Sequence, residues 1–208
     1  MENREIKPRI IFIGTPEFGA IILQKLIAGH YEPVLVITAP DAPVGRGRKM
    51  TPPPVKVLAE KNRIPVLQPS KVKTSRFEIQ NSQPDLAVVA AYGQIIPKEI
   101  LDIPKYGCLN VHPSLLPKYR GASPIQAAIL NGDKETGVTI MLMDELMDHG
   151  PIVSSIKYDI SCIDTTGTLS EKLAQAGGDL LVGTIPKWIT GEISPREQDH
   201  SQATFTRI

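Results

Sequence analysis

Apolar, largely β-branched side chains run unbroken through R-I-I-F-I-G at residues 9–14, the pattern of a short strand covered on both faces. Pro16 and Glu17 then open a stretch, residues 18–28, whose apolar positions fall at helical spacing and stop at Gly29, the order expected of a helix with its breaker just past the end. A second apolar run at 34–38 completes a β-α-β unit, which calls for parallel strands joined by a right-handed crossover. The alternation continues with helices expected at 55–61 and 75–81 and strands at 65–67, 86–91 and 107–111. A helix at 123–131, a β-rich stretch at 137–158 and a long final helix at 168–189 follow. The pattern predicts an α/β domain: a Rossmann-like, open, mostly parallel sheet with helices on both faces, whose ligands belong beyond the carboxyl ends of the strands.

Two segments break the rhythm. Residues 41–54, D-A-P-V-G-R-G-R-K-M-T-P-P-P, read as a loop longer than compact domains usually carry without a function. Residues 191–208 are polar and read as a linker or C-terminal extension to a domain spanning 1–190. His200 is expected to be solvated there, and Trp188 to sit in the core or an interface.

Composition removes several classes of function. The hydrophobic share of 41% and charged share of 22% are those of a globular protein. The net charge of +1 leaves no overall field for nucleic acid, so such a contact would need a local patch. That patch exists between residues 41 and 61, where Arg46, Arg48, Lys49, Lys56 and Lys61 face only Asp41 and Glu60. A run of this kind is more often a solvated loop, although glycines at 45 and 47 would let backbone approach a phosphate strand. Two cysteines are too few for a disulfide framework, have no histidine at ligand spacing, and predict neither zinc nor another metal. No apolar run approaches a membrane span, so a cytoplasmic protein without a membrane partner is expected. His30, just past a helix end, reads as a C-terminal capping cation.

G-T-P-E-F-G after the first strand lacks the G-x-G-x-x-G spacing of a dinucleotide site, and a tight strand-to-helix turn accounts for it. The densest chemistry lies in N-V-H-P-S-L-L-P-K-Y-R-G, residues 110–121. Asn110 and His112 are two apart on a strand end, hence on one face, and an amide with an imidazole can hold an oxyanion and move a proton. From the residues themselves, a turn cap at Asn110 and a backbone bond at His112 explain the pair equally well. In M-D-E-L-M-D-H-G, Asp148 could orient His112, but spacing by itself favours ordinary loop acids.

Taken together these stretches resemble the methionyl-tRNA formyltransferase family, within the superfamily that transfers formyl groups from 10-formyltetrahydrofolate. The matching motifs are I-F-I-G-T-P-E-F-G, P-D-A-P-V-G-R-G-R-K-M-T-P-P-P-V-K-V-L-A, A-A-Y-G-Q-I-I-P, G-C-L-N-V-H-P-S-L-L-P-K-Y-R-G-A-S-P-I-Q and T-G-V-T-I-M-L-M-D, in order along almost the whole chain. The resemblance implies Asn110, His112 and Asp148 as the catalytic group, and Ser114, Leu115, Leu116 and Pro117 as a folate segment. It further implies that the loop bearing Ala90, Ala91, Tyr92, Gly93 and Ile95 walls the pterin, and that Arg46, Arg48 and Lys49 approach the acceptor stem of methionyl initiator tRNA. A monomer is expected. The sequence departs from the family at Pro113, which is more like the glycinamide ribonucleotide branch, and at Leu146 and His149, which replace a glycine and a threonine. The family's C-terminal β-barrel has no counterpart in these residues. Transfer to an amino-sugar nucleotide or other small amine, and a folate- or RNA-binding module without turnover, are the rival expectations.

Overall fold

The structure is a computed structural model that describes residues 7–206. The first crossover is β1 (Ile10–Gly14), α1 (Glu17–Ala28) and β2 (Leu35–Ile37), followed by a hairpin of β3 (Ala42–Val44) and β4 (Lys49–Thr51). Next come α2 (Pro54–Lys61), β5 (Val66–Leu67), α3 (Arg76–Asn81), β6 (Leu86–Ala90) and α4 (Lys98–Leu101). The remainder is β7 (Cys108–His112), β8 (Arg120–Gly121), α5 (Pro124–Leu130), β9 (Glu135–Leu142), β10 (Ile152–Asp159), α6 (Thr166–Ile189) and β11 (Phe205–Thr206).

Among the described residues, seven strands form the main sheet in the order β10-β9-β7-β6-β1-β2-β5. The five from β5 to β7 are parallel, and β9 and β10 add an antiparallel edge. The expected Rossmann-like architecture is therefore present. The alternation of strand side chains divides the core in two. Ile10, Phe12, Val88, Leu109 and Val111 meet α1 and α6 on one face, whereas Ile11, Ile13, Val89 and Cys108 meet α3 and α4 on the other. All four residues from Ile10 to Ile13 are fully buried, each contributing on the order of 1.5–3 kcal/mol of transfer free energy.

Chain order steps outward from β1 to β2 and β5, then jumps to the far side of β1 for β6. The carboxyl ends of β1 and β6 thus flank the topological switch point, where open α/β sheets place their ligands. Thr15, just after β1, ties in the loops after β6 and β2, its hydroxyl donating to the Tyr92 carbonyl at 3.4 Å and accepting from the Ala39 amide at 3.3 Å.

Several elements differ from the sequence reading, which held neither α4 nor β8. The long loop folds partly as the β3–β4 hairpin, turned at Gly45 and Arg48 with positive φ angles. Its strands are exposed throughout, so no apolar alternation could reveal them. Helix α6 starts at Thr166 because Thr165 and Thr168 form a reciprocal cap. The tail turns back, pairing β11 in parallel with β8 and bridging Arg196 to Ile152.

Candidate active site

The even-numbered side chains of β7 share the face of Cys108, so the strand presents Asn110 and His112 together at its carboxyl end. Residues 143–151, between β9 and β10, fold over that face and bring Asp148 to both. Its Oδ1 lies 3.5 Å from His112 Nδ1 and 3.4 Å from Asn110 Nδ2, a long hydrogen bond. Its Oδ2 accepts a 2.7 Å hydrogen bond from the Gly121 amide. The His112 side chain is only 5% exposed and that of Asp148 14%, which strengthens their electrostatic coupling relative to a solvated pair.

The second ring nitrogen of His112 fixes the proton inventory. Nε2 lies 3.0 Å from the Tyr119 carbonyl, and a carbonyl can only accept. In this ring orientation Nε2 therefore carries hydrogen and Nδ1 faces the carboxylate. Nδ1 is thus the ring nitrogen left to face Asp148, with Asn110 beside it. Asn110, with two amide hydrogens, can direct one to Asp148 and keep one for a ligand oxygen.

The residues expected from the sequence are distributed as follows. Asn110, His112 and Asp148 converge. Ser114 is fully buried, and its hydroxyl donates to the Lys118 carbonyl at 2.5 Å. Leu116, joined to Pro117 by a cis peptide, donates its amide to Thr139 Oγ1 at 3.1 Å, and that hydroxyl donates to the Ser114 carbonyl at 2.7 Å. Ala90 ends β6 and is buried; in the loop that follows, Tyr92 is buried, Ala91 and Gly93 have positive φ, and Ile95 is 87% exposed. The Tyr92 hydroxyl is buried without a hydrogen-bond partner among the described residues. Arg46, Arg48 and Lys49 are all exposed on the β3–β4 hairpin. That hairpin leaves the same sheet edge as His112, because β2 and β7 run parallel. Its root is pinned at Asp41, which accepts from Lys56 at 2.8 Å and from Gln68 at 2.7 Å. These two bonds, Lys56's first, hold the Asp41 carboxyl below the ordinary carboxylate range.

His149 turns away from the cluster. It bonds Asp144 at 2.6 Å and stacks on His200, with ring centroids 4.0 Å apart. His200 is exposed, as expected, and also accepts from the Arg120 guanidinium at 2.8 Å. Sequence reasoning gave no role to Tyr119, Gly121 or Gln198. The first two were legible as neighbours of the N-x-H motif in K-Y-R-G, but Gln198 carried no signal, lying 50 residues from its partner Asp148. Among the described residues, no group of three or more His, Cys, Asp or Glu could hold a metal ion, and no helix is long and apolar enough to cross a membrane.

Fold and cluster together define a Rossmann-like α/β domain with an Asn–His–carboxylate centre at its strand ends. The pattern of the formyl transferase family matches residues 8–185, and the chain belongs to that family. It is 52% identical over 199 residues to the methionyl-tRNA formyltransferases of Bacillus velezensis and Bacillus subtilis, covering 95% of this chain. The chain spans 63% of the length of these curated relatives. Among solved structures it resembles phosphoribosylglycinamide formyltransferase from Bacillus halodurans, with a TM-score of 0.72 and 27% identity over 88% of this chain and 96% of that one. It shares its fold with an N-formyltransferase from Helicobacter canadensis solved with folinic acid and dTDP-3-aminofucose, at a TM-score of 0.73 and 21% identity, covering 96% and 70% of the two chains.

Proposed function

We propose that the protein transfers a formyl group from 10-formyltetrahydrofolate to the amino group of methionyl initiator tRNA, for translation initiation. The observation that carries this reading is the convergence of Asn110, His112 and Asp148 in a chain half identical to proteins of that activity. The reading implies work in the cytoplasm, as a monomer.

The folate would supply an activated formyl carbon. The loop with Ala90, Ala91, Tyr92, Gly93 and Ile95 would hold it, with exposed Ile95 offering an apolar contact. Ser114, Leu115, Leu116 and Pro117 would form the neighbouring wall. Because the Ser114 hydroxyl is already engaged, that wall works through backbone groups and the partly exposed Leu115 and Pro117.

Asn110 directs its free amide hydrogen at the formyl oxygen, where negative charge grows as the amine attacks. The His112–Asp148 pair takes the proton that the amine must lose and returns one to the leaving nitrogen. Arg46, Arg48 and Lys49 offer cations to acceptor-stem phosphates, which position the substrate without reading its sequence.

The test is formyl transfer from 10-formyltetrahydrofolate to methionyl initiator tRNA, run beside an amino-sugar nucleotide as acceptor. Formylated tRNA is the expected product. Formylation of the amino-sugar nucleotide with none of the tRNA would overturn the reading.

A further inference from the structure

We propose that Gln198 is a positioning residue, a clamp that holds Asp148 in register with His112. The inference rests on the functional reading above and adds a residue outside the family-matched segment, which ends at residue 185. Gln198 lies in the returning tail, yet it is only 5% exposed. Its Nε2 donates to two carbonyls of the active-site loop, Asp148 at 3.0 Å and Gly150 at 2.7 Å. Its Oε1 accepts two hydrogen bonds from Arg120, at 3.2 Å from Nε and 2.7 Å from the terminal nitrogen. Arg120 is buried as well, at 3% exposure, and precedes Gly121, whose amide holds the Asp148 carboxylate.

The amide thus joins three segments that are remote in sequence: the turn after β7, the loop between β9 and β10, and the tail. Both of its functional ends are used, so neither a carboxylate nor an apolar side chain can replace it in full. A hold on Asp148 also fixes its backbone at φ +50°, a left-handed conformation that costs a residue with a Cβ even though Asp tolerates it better than most. Gly121 is equally constrained. Its φ is +106°, and a Cβ there would lie 2.6 Å from the Thr206 carbonyl. Tail, turn and loop consequently move as one body, and the Asp148 carboxylate inherits its place from their common hydrogen bonds.

Gln198→Met keeps the length of the side chain and removes both functions. Gln198→Glu, assayed at pH 8 where a carboxyl has no hydrogen to give, keeps the acceptor for Arg120 and removes the donor to Asp148 and Gly150. We expect kcat to fall about 10–100-fold in both, the scale of a misplaced catalytic group, with KM for donor and acceptor within about twofold of the parent. The imidazole 15N signals of His112 should shift in both variants. Asp199→Ala loosens the same tail by removing the carboxylate that accepts from the Ser201 amide and should leave kcat at the parent value. Parent-like kcat in both Gln198 variants, or an equal loss in Asp199→Ala, would overturn the proposal. If the parent itself formylated no acceptor, the functional reading would fall, and unmoved His112 signals in Gln198→Met would then overturn the clamp independently.

Discussion

At the scale of single residues, three histidines lie at or near Asp148's loop and only one of them faces the Asp148 carboxylate. His112 is buried beside Asp148 and shares its strand face with Asn110, whereas His149 is committed to Asp144 and the stack on His200. His112→Ala and Asn110→Ala are each expected to lower kcat at least ~100-fold, the scale of losing an acid–base group or an oxyanion donor. His149→Ala should cost far less. Steady-state kinetics on the three variants decide the assignment, and the reverse ranking would refute it. For Asp148→Asn, the new side-chain carbonyl can still accept from Gly121, so the melting temperature should stay near the parent's. The negative charge beside His112 is lost, so on the proposed mechanism activity should collapse. Activity close to the parent would return Asp148 to the status of a loop acid.

Among the elements, the β3–β4 hairpin has the simplest energetics. Its residues 42–50 are exposed, and its root is fixed by Lys56 and Gln68 on Asp41. A cationic arm on a fixed base suits phosphate contacts, whose affinity falls as salt rises through counterion release. Arg46→Ala should lower kcat/KM for the tRNA and reduce its log–log salt slope by up to about one unit. Donor KM should hardly change, because the proposed folate loops follow β6 and β7 rather than β2. An acceptor kcat/KM that ignores both salt and the Arg46 substitution would point to a small-amine acceptor instead.

For the whole molecule, the two cysteines report on the integrity of the sheet. Cys108 lies inside β7, and burial, with the Asp102 charge second, pushes its thiol up to about 12. Cys162 is exposed. A thiol reagent at pH 8 should therefore modify Cys162 promptly and Cys108 only through opening of the domain, at a rate that climbs with urea. Peptide mass spectrometry separates the two sites. Equal labelling without denaturant would mean that β7, and with it the placement of Asn110 and His112, is not held as described.

Local pattern by itself determined much of this protein. The apolar runs of β1, β2, β6 and β7 and the helical spacing of α1 and α6 were legible because strands buried on both faces are written as continuous apolar runs and helices as a 3.6-residue period, while side chains along any strand alternate on a period of two. The shared face of Asn110 and His112 followed from the same period. What pattern could not decide was every relation that closes through space. Spacing favoured a solvated Asp148, yet the fold of residues 143–151 places it against His112. The tail looked like a polar linker because its binding to the domain runs through backbone pairing of β11 with β8 and through the side chain of Gln198. Hydrogen bonds of that kind leave no hydrophobic period in the sequence, and their partners exist only once the sheet has brought distant segments together.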